Sequence, residues 1–147
     1  DRMSIHETAW TGWGEMAGKL DVQSGRRFKD GKLIIEEHAH GAMAARFLAG
    51  AVGLPVMPYY APPGSDPYNP EFDSLGKAGL RNGKNSKIAD KKFMPFEDPF
   101  FKEGTLYLLP AARPDIAVLH VSQAGEKGTA RWRGIGTLDK LTAGDRL

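Results

Sequence analysis

A chain of 147 residues is long enough for one domain with a real core, and 41% hydrophobic and 26% charged residues are ordinary for a soluble globular protein. A net charge of +2 is too small to imply a nucleic-acid partner, and the lack of cysteine rules out disulfides and thiolate metal sites. No apolar run approaches the roughly 20 residues of a membrane helix and no secretory signal is visible; a cytoplasmic enzyme or subunit, with neither nucleic acid nor membrane as partner, is the expectation.

Residues 1–24 contain Trp10, Trp13 and several glycines but only weak periodicity. They read as irregular, with a short helix near Glu15–Lys19. Gly12-Trp13-Gly14 is too weak a pattern for a phosphate loop. The turn signal Asp30-Gly31 then leads into Lys32–Glu37. Its apolar residues are adjacent, and two are β-branched, which predicts a buried parallel strand.

Gly41–Gly53 is predicted to be a helix. Met43, Phe47 and Ala51 share one face, and Ala44, Leu48 and Val52 another. Arg46 is its one charge, so the helix is expected to be mostly buried against a parallel sheet, with Phe47 in the core. Ala42, Ala45, Ala49 and Gly50 permit close packing. Gly53 and Pro55 mark its end.

Residues 55–104 hold eight of the ten prolines: Pro55, Pro58, Pro62, Pro63, Pro67, Pro70, Pro95 and Pro99. A loop this long in a compact domain is functional or disordered, and the eight aromatics between Tyr59 and Phe101 argue against full disorder. A lid-like or interface excursion is expected. Strands are predicted at Thr105–Leu109 and, as a continuous apolar run, at Asp115–Val121. No internal repeat is apparent. This order predicts a single α/β domain over residues 1–147, three-layered α/β/α, with a mainly parallel sheet and a long Pro-rich excursion. The start at Asp1 without an initiator Met, and the end at Leu147, leave room for a longer subunit of which these residues are a part.

The stretch Glu36–Pro58 resembles the A-type (alpha) subunit signature of family I coenzyme A transferases. The matching residues are Glu36, His40, Gly41, Arg46, Ala49-Gly50 and Gly53-Leu54-Pro55. The Gly-Leu-Pro-x-x-Pro wording and Gly64-Ser65-Asp66 look closest to the glutaconate-type branch. A second block, Leu108 to Asp115, resembles the family's downstream strand, with His120 and Gly128 in matching places. Two departures stand out. Ala124-Gly125-Glu126-Lys127-Gly128-Thr129 replaces the family's frequent Ala-Asp-x-x-Gly-Asn, and Tyr60 stands where glutaconate-type subunits often carry Arg.

The resemblance implies acyl transfer between an acyl-CoA and a free carboxylic acid, through an enzyme–CoA thioester. The nucleophile is a glutamate of a partner B-type subunit, and coenzyme A is a substrate, with no permanently bound cofactor. This chain would contribute to the oxyanion hole. His40, where related transferases carry Gln, is the first candidate, with Gly41 following at the helix start. Its alternative is a capping or core histidine.

Glu36 and Glu37 lie at the ligand edge of a parallel strand, on opposite faces, so one at most faces the site. Their bland alternative is one structural ion-pair partner and one solvated side chain. Tyr59, Tyr60, Ser65 and Asp66 are candidates for the acyl pocket, or else packing residues. His38-x-His40 invites a metal reading, but no third ligand has recognisable spacing, and no metal is expected. Lys77, Arg81, Lys84, Lys87, Lys91 and Lys92 would steer CoA phosphates or form a solvated loop. Two other functions compete: a subunit of a CoA-ester or ring-opening hydrolase on the same fold, and a non-catalytic subunit of a larger complex.

Overall fold

The computed structural model describes residues 4–9, 22–61, 64–102 and 104–131. The helix expected near Glu15–Lys19, Gly12-Trp13-Gly14, Pro62 and Pro63 lie outside these residues. The chain forms two compact units, Asp1–Ala112 and Arg113–Leu147.

The first unit begins with strand β1 (Ile5–Thr8) and helix α1 (Val22–Lys29). Helix α1 stops at Asp30-Gly31. Gly31 takes a left-handed φ of 67°, and the Gly31 and Lys32 amides turn back onto the carbonyls of Phe28 and Arg27. Arg26, Arg27 and Lys29 crowd its last turn, where the helix dipole favours cations. Strand β2 (Ile34–Glu37) follows and pairs in parallel with β1, Ile5 opposite Ile34 and Glu7 opposite Glu36. The parallel pairing expected of the Lys32–Glu37 run is thus found, with β2 starting at Ile34.

Helix α2 (His40–Ala51) comes next, one residue earlier at its start and two shorter at its end than the periodicity predicts. Its stop is as expected. Gly53 adopts φ 76°, and the Leu54 amide reaches back to the Ala49 carbonyl at 2.8 Å.

The excursion at 55–104 is not a structureless loop. It holds strand β3 (Val56–Tyr59), two short 3-10 turns at Asp66–Tyr68 and Pro70–Phe72, the single-turn helix α3 (Ser74–Lys77) and strand β4 (Met94–Glu97). With β5 (Thr105–Pro110) these form an antiparallel sheet in the order β3-β5-β4. This three-stranded sheet corrects the expectation of a mainly parallel arrangement for that part of the chain, while the α/β class holds. Proline explains both the topology and the miss. Pro58 and Pro95 lack the N–H that a central strand must donate on both sides, and both lie on the edge strands; β5 sits in the middle, its proline held to its last position. A proline inside a short run hides a strand from pattern reading.

Helix α2 packs on β3 and β5. The core gathers Ala42, Ala61, Tyr68 and Leu109, with Ala39, Ala45, Tyr59, Phe93 and Tyr107 against it. Tyr68 stacks on Tyr107 at 4.6 Å between ring centroids and on Tyr59 at 5.8 Å, with Phe93 edge-on.

The burial of α2 reverses the expectation. Arg46, its one charge, is buried with Ala42 and Ala49, whereas Phe47 is 51% exposed. The physical cause is the small-residue face. Ala42 and Ala49 are fully buried against the sheet, and at the helix end the segment just after β5 comes so close that a Cβ on Gly50 would lie 2.3 Å from the Ala112 carbonyl oxygen. Phe47 cannot enter so narrow a seam, and Arg46 enters because polar partners await it.

In the second unit, β6 (Gln123–Ala124) and β7 (Ala130–Arg131) form a small antiparallel hairpin, closed by Gly128 at φ 80°. The strand expected at Asp115–Val121 is not formed. A strand needs a pairing partner; this run has none among the described residues of its unit, and Ile116, Val118 and Leu119 are exposed. No helix of the described residues is long and apolar enough to cross a membrane.

Candidate functional site

The turn between β2 and α2 places Glu36, Glu37, His38 and His40 within five residues, and the structure sorts them sharply. Period-two alternation along the strand buries Glu36 and His38 and exposes Glu37. His40 is exposed as the first residue of α2.

Glu36 has no exposed surface. One carboxylate oxygen accepts the Leu75 amide at 2.8 Å; the other accepts from Lys92 Nζ at 3.0 Å and Arg81 at 3.4 Å. Arg81 also grips the Asp73 carboxylate at 2.8 Å and donates to the Ala89 carbonyl, while Lys92 Nζ donates to the Phe72 carbonyl. Asp73 in turn caps α3 by accepting the Gly76 amide. Glu36 therefore pins the segment from Phe72 to Lys92 onto the end of β2. Its buried charge is matched and hydrogen-bonded, the condition under which an interior carboxylate is tolerated.

A second set of bonds lies beside the first, across the Glu7–Glu36 register pair. The Arg46 guanidinium donates to Glu7 at 2.7 Å, to His38 Nε2 at 2.9 Å and to the Pro110 carbonyl at 3.1 Å. Guanidinium has no acceptor, so His38 Nε2 accepts and the neutral ring carries its proton on Nδ1. Burial, then the Arg46 charge, then Lys92 and Arg81, push the His38 imidazole down to about 3. Glu7 and Glu36 are register neighbours on adjacent strands, and their mutual repulsion is offset by separate cations. Around His38 the ion-paired groups balance: Glu7, Glu36 and Asp73 against Arg46, Arg81 and Lys92.

The two rings of the H-x-H pair are placed differently: His38 is buried and His40 exposed. His38 Nε2 accepts from the Arg46 guanidinium at 2.9 Å. Among the described residues no group of three or more His, Asp or Glu side chains could hold a metal. The basic stretch also divides. Lys77, Lys84, Lys87 and Lys91 are exposed, whereas Lys92 is buried and the Arg81 side chain is 8% exposed; these two serve Glu36, neither steering phosphates nor lying in solvent.

The start of α2 has no side-chain cap from Ala39. The first-turn N–H groups and the positive end of the helix dipole lie at this end of α2, where His40 is exposed. Tyr59 lies over this turn: a Cβ on Gly41 would stand 3.1 Å from both its ring and its hydroxyl. Glycine at 41 is what allows the phenol so close. Burial, Tyr59 and Tyr107 push the neighbouring Tyr68 phenol up, so it stays neutral. Of the residues expected to line the acyl pocket, the structure thus joins Tyr59 to Gly41. Tyr60 is exposed just beyond β3, and Ser65 and Asp66 open the first 3-10 turn, Asp66 exposed.

Sequence reasoning missed the roles of His38, Arg46, Arg81 and Lys92. The one signal available was Glu36 itself, since a carboxylate inside an apolar strand demands cations; nothing local says which.

The comparisons with known proteins converge. The family model described as coenzyme A transferase matches residues 3–143. The A-type subunit of glutaconate CoA-transferase from Acidaminococcus fermentans is 30% identical over 108 residues, covering 73% of this chain and 32% of its own length. The A-type subunit of 3-oxoadipate CoA-transferase from Pseudomonas knackmussii is 33% identical over 138 residues, 89% of this chain and 41% of its own. The crystal structure of glutaconate coenzyme A-transferase from Acidaminococcus fermentans superposes with a TM-score of 0.72 at 24% identity, over 89% of this chain and 40% of that chain, a likeness of fold. The chain spans about a third to two-fifths of the length of these curated relatives.

Proposed function

Because the chain belongs to the coenzyme A transferase family, we propose that it is part of an A-type subunit that, with a B-type partner, moves CoA between an acyl-CoA and a free carboxylic acid. The names of the two A-type relatives support this reading. The observation that carries it to particular residues is the exposed His40 at the uncapped head of α2, with Gly41 behind it and Tyr59 across.

In this reading a glutamate carboxylate of the partner attacks the thioester carbonyl. The carbonyl π pair moves onto oxygen, giving a tetrahedral oxyanion, and its return expels CoA thiolate and leaves an acyl–glutamyl anhydride. The His40 ring N–H and the first-turn amides of α2 are aimed where that negative charge develops, and they are in place before it does. Tyr59 closes one wall beside Gly41, and Tyr60, Ser65 and Asp66 border the acyl end. Glu36 acts by holding the segment Phe72–Lys92 against the strand end, and it does not touch substrate. Glu37, exposed beside the turn, is the carboxylate of the pair able to meet solvent or ligand.

The test is steady-state exchange of CoA between an acyl-CoA and a free acid, in the complex assembled with its B-type partner. The chain alone should not turn over. His40→Ala should lower kcat by about 10²–10³, the loss expected for one oxyanion donor, with little change in KM. His40→Gln should recover much of the rate, because an amide donates as well. Wild-type kcat in His40→Ala would remove the assignment.

A further inference from the structure

We propose that His38 is a positioning residue: a buried imidazole, locked onto Arg46, that fixes the turn between β2 and α2 and so sets where the His40 ring stands. The inference rests on the reading of His40 as the oxyanion donor.

The turn from Glu37 to His40 has few means of holding its own shape. Glu37 faces solvent, and Ala39 has no polar group and gives the helix no side-chain cap. Ala39 packs against the core and its carbonyl accepts the Met43 amide at 3.0 Å, which ties it to the helix; the polar anchors that join the turn to the strand side are both on His38. Its backbone N–H donates to the Thr8 carbonyl at 2.8 Å, extending the parallel ladder by one bond, and its Nε2 accepts from Arg46. Arg46 is itself held from several sides. Glu7 on β1 and Pro110 on β5 take its other N–H groups, and its own carbonyl accepts the Ala112 amide at 2.9 Å. The His38–Arg46 bond therefore ties the turn to a rigid point shared by β1, α2 and β5.

An aliphatic side chain at 38 would fill the space but would leave that buried guanidinium N–H only Met43 Sδ, a weak acceptor at 3.5 Å. A protonated ring would lose the acceptor and add a fourth positive charge beside Arg46, Arg81 and Lys92. The opposing carboxylates, Glu7 and Glu36, are already engaged by those cations. The lock thus persists across the neutral range. Since Ala39 alone separates His38 from His40, a shift of the turn by about 1 Å moves the oxyanion donor by a similar distance, and misplacement on that scale costs up to about 10²-fold in rate.

The experiment is a double-mutant cycle in the assembled transferase, with acyl-CoA:carboxylate exchange as readout and assembly and thermal melts as controls. His38→Ala should lower kcat by about 10–100-fold with KM little changed. Combined with His40→Ala it should add little further loss, because His38 acts through His40. His38→Gln, whose amide oxygen replaces Nε2 as acceptor, should stay within a few-fold of wild type. If His38→Ala does not assemble, His38→Leu and His38→Gln take its place, and equal rates for these two would overturn the inference. Losses that multiply in the double variant, or a wild-type kcat in His38→Ala while His40→Ala is slow, would overturn the inference alone. A wild-type kcat in His40→Ala would bring down the functional reading, and the inference with it.

Discussion

Lowering the pH from 7 to 5 should cost the fold about 2 kcal/mol through His38 alone. In the unfolded chain its imidazole titrates at the ordinary value of 6.5, whereas in the folded protein it is pushed down to about 3. Between those values the unfolded chain holds one more proton than the folded one, so stability rises with pH across the window and falls as acid is added. Above pH 6.5 both forms are neutral and the contribution is complete. At pH 5 the unfolded ring is almost fully protonated; 1.5 units below 6.5, at about 1.4 kcal/mol per unit, this amounts to about 2 kcal/mol.

Carboxylates are the confounding groups, and a variant removes them. Urea unfolding of wild type and His38→Gln at pH 5, 6 and 7 gives two stability curves, whose difference belongs to the histidine. Wild type should lose about 2 kcal/mol more than His38→Gln over that range. The Arg46, Arg81 and Lys92 charges and the burial of the ring together set this magnitude. Parallel curves for the two proteins would mean that His38 titrates normally in the fold, and would refute the buried, Arg46-bound imidazole.

Glu36→Ala should destabilise by about 3–5 kcal/mol, because it strands Arg81 and Lys92 without their shared carboxylate, whereas exposed Glu37→Ala should change stability by less than about 0.5 kcal/mol; urea midpoints distinguish them. Gly50→Ala should reverse the usual rule. Alanine in a helix interior ordinarily gains about 1 kcal/mol over glycine, but here its Cβ would meet the Ala112 carbonyl at 2.3 Å. A loss of about 1–3 kcal/mol is expected, and a raised Tm would contradict the close packing of α2. Phe47→Ala, at a half-exposed position, should cost less than about 1.5 kcal/mol, well below the roughly 3–5 of a core phenylalanine, as judged by thermal melts.

The local grammar of this chain was legible in its sequence. Asp30-Gly31 announced a turn, the Lys32–Glu37 run a strand pairing in parallel, and Gly53-Leu54-Pro55 the end of a helix; alternation alone separated Glu36 from Glu37. The spaced residues from Glu36 to Pro58 resembled a CoA transferase chain of the A type, and the protein belongs to that family. These signals are short-range, because caps, turns and strand faces depend on residues within a few positions of each other.

What the tertiary structure decided was which distant groups meet. Arg46 reaches Glu7 across 39 residues and Pro110 across 64, and Arg81 reaches Glu36 across 45. No local pattern marks Arg81 and Lys92, out of six neighbouring cations, as the two that enter the interior. The same holds for the inversion of α2. Hydrophobicity alone puts Phe47 inside and Arg46 outside, but a seam lined by alanine and glycine is too narrow for a ring, and carboxylate, imidazole and carbonyl acceptors lie ready for a guanidinium. Amphipathic pattern predicts burial only when the opposing surface is apolar and roomy, and that surface is made by strands brought in from elsewhere in the chain.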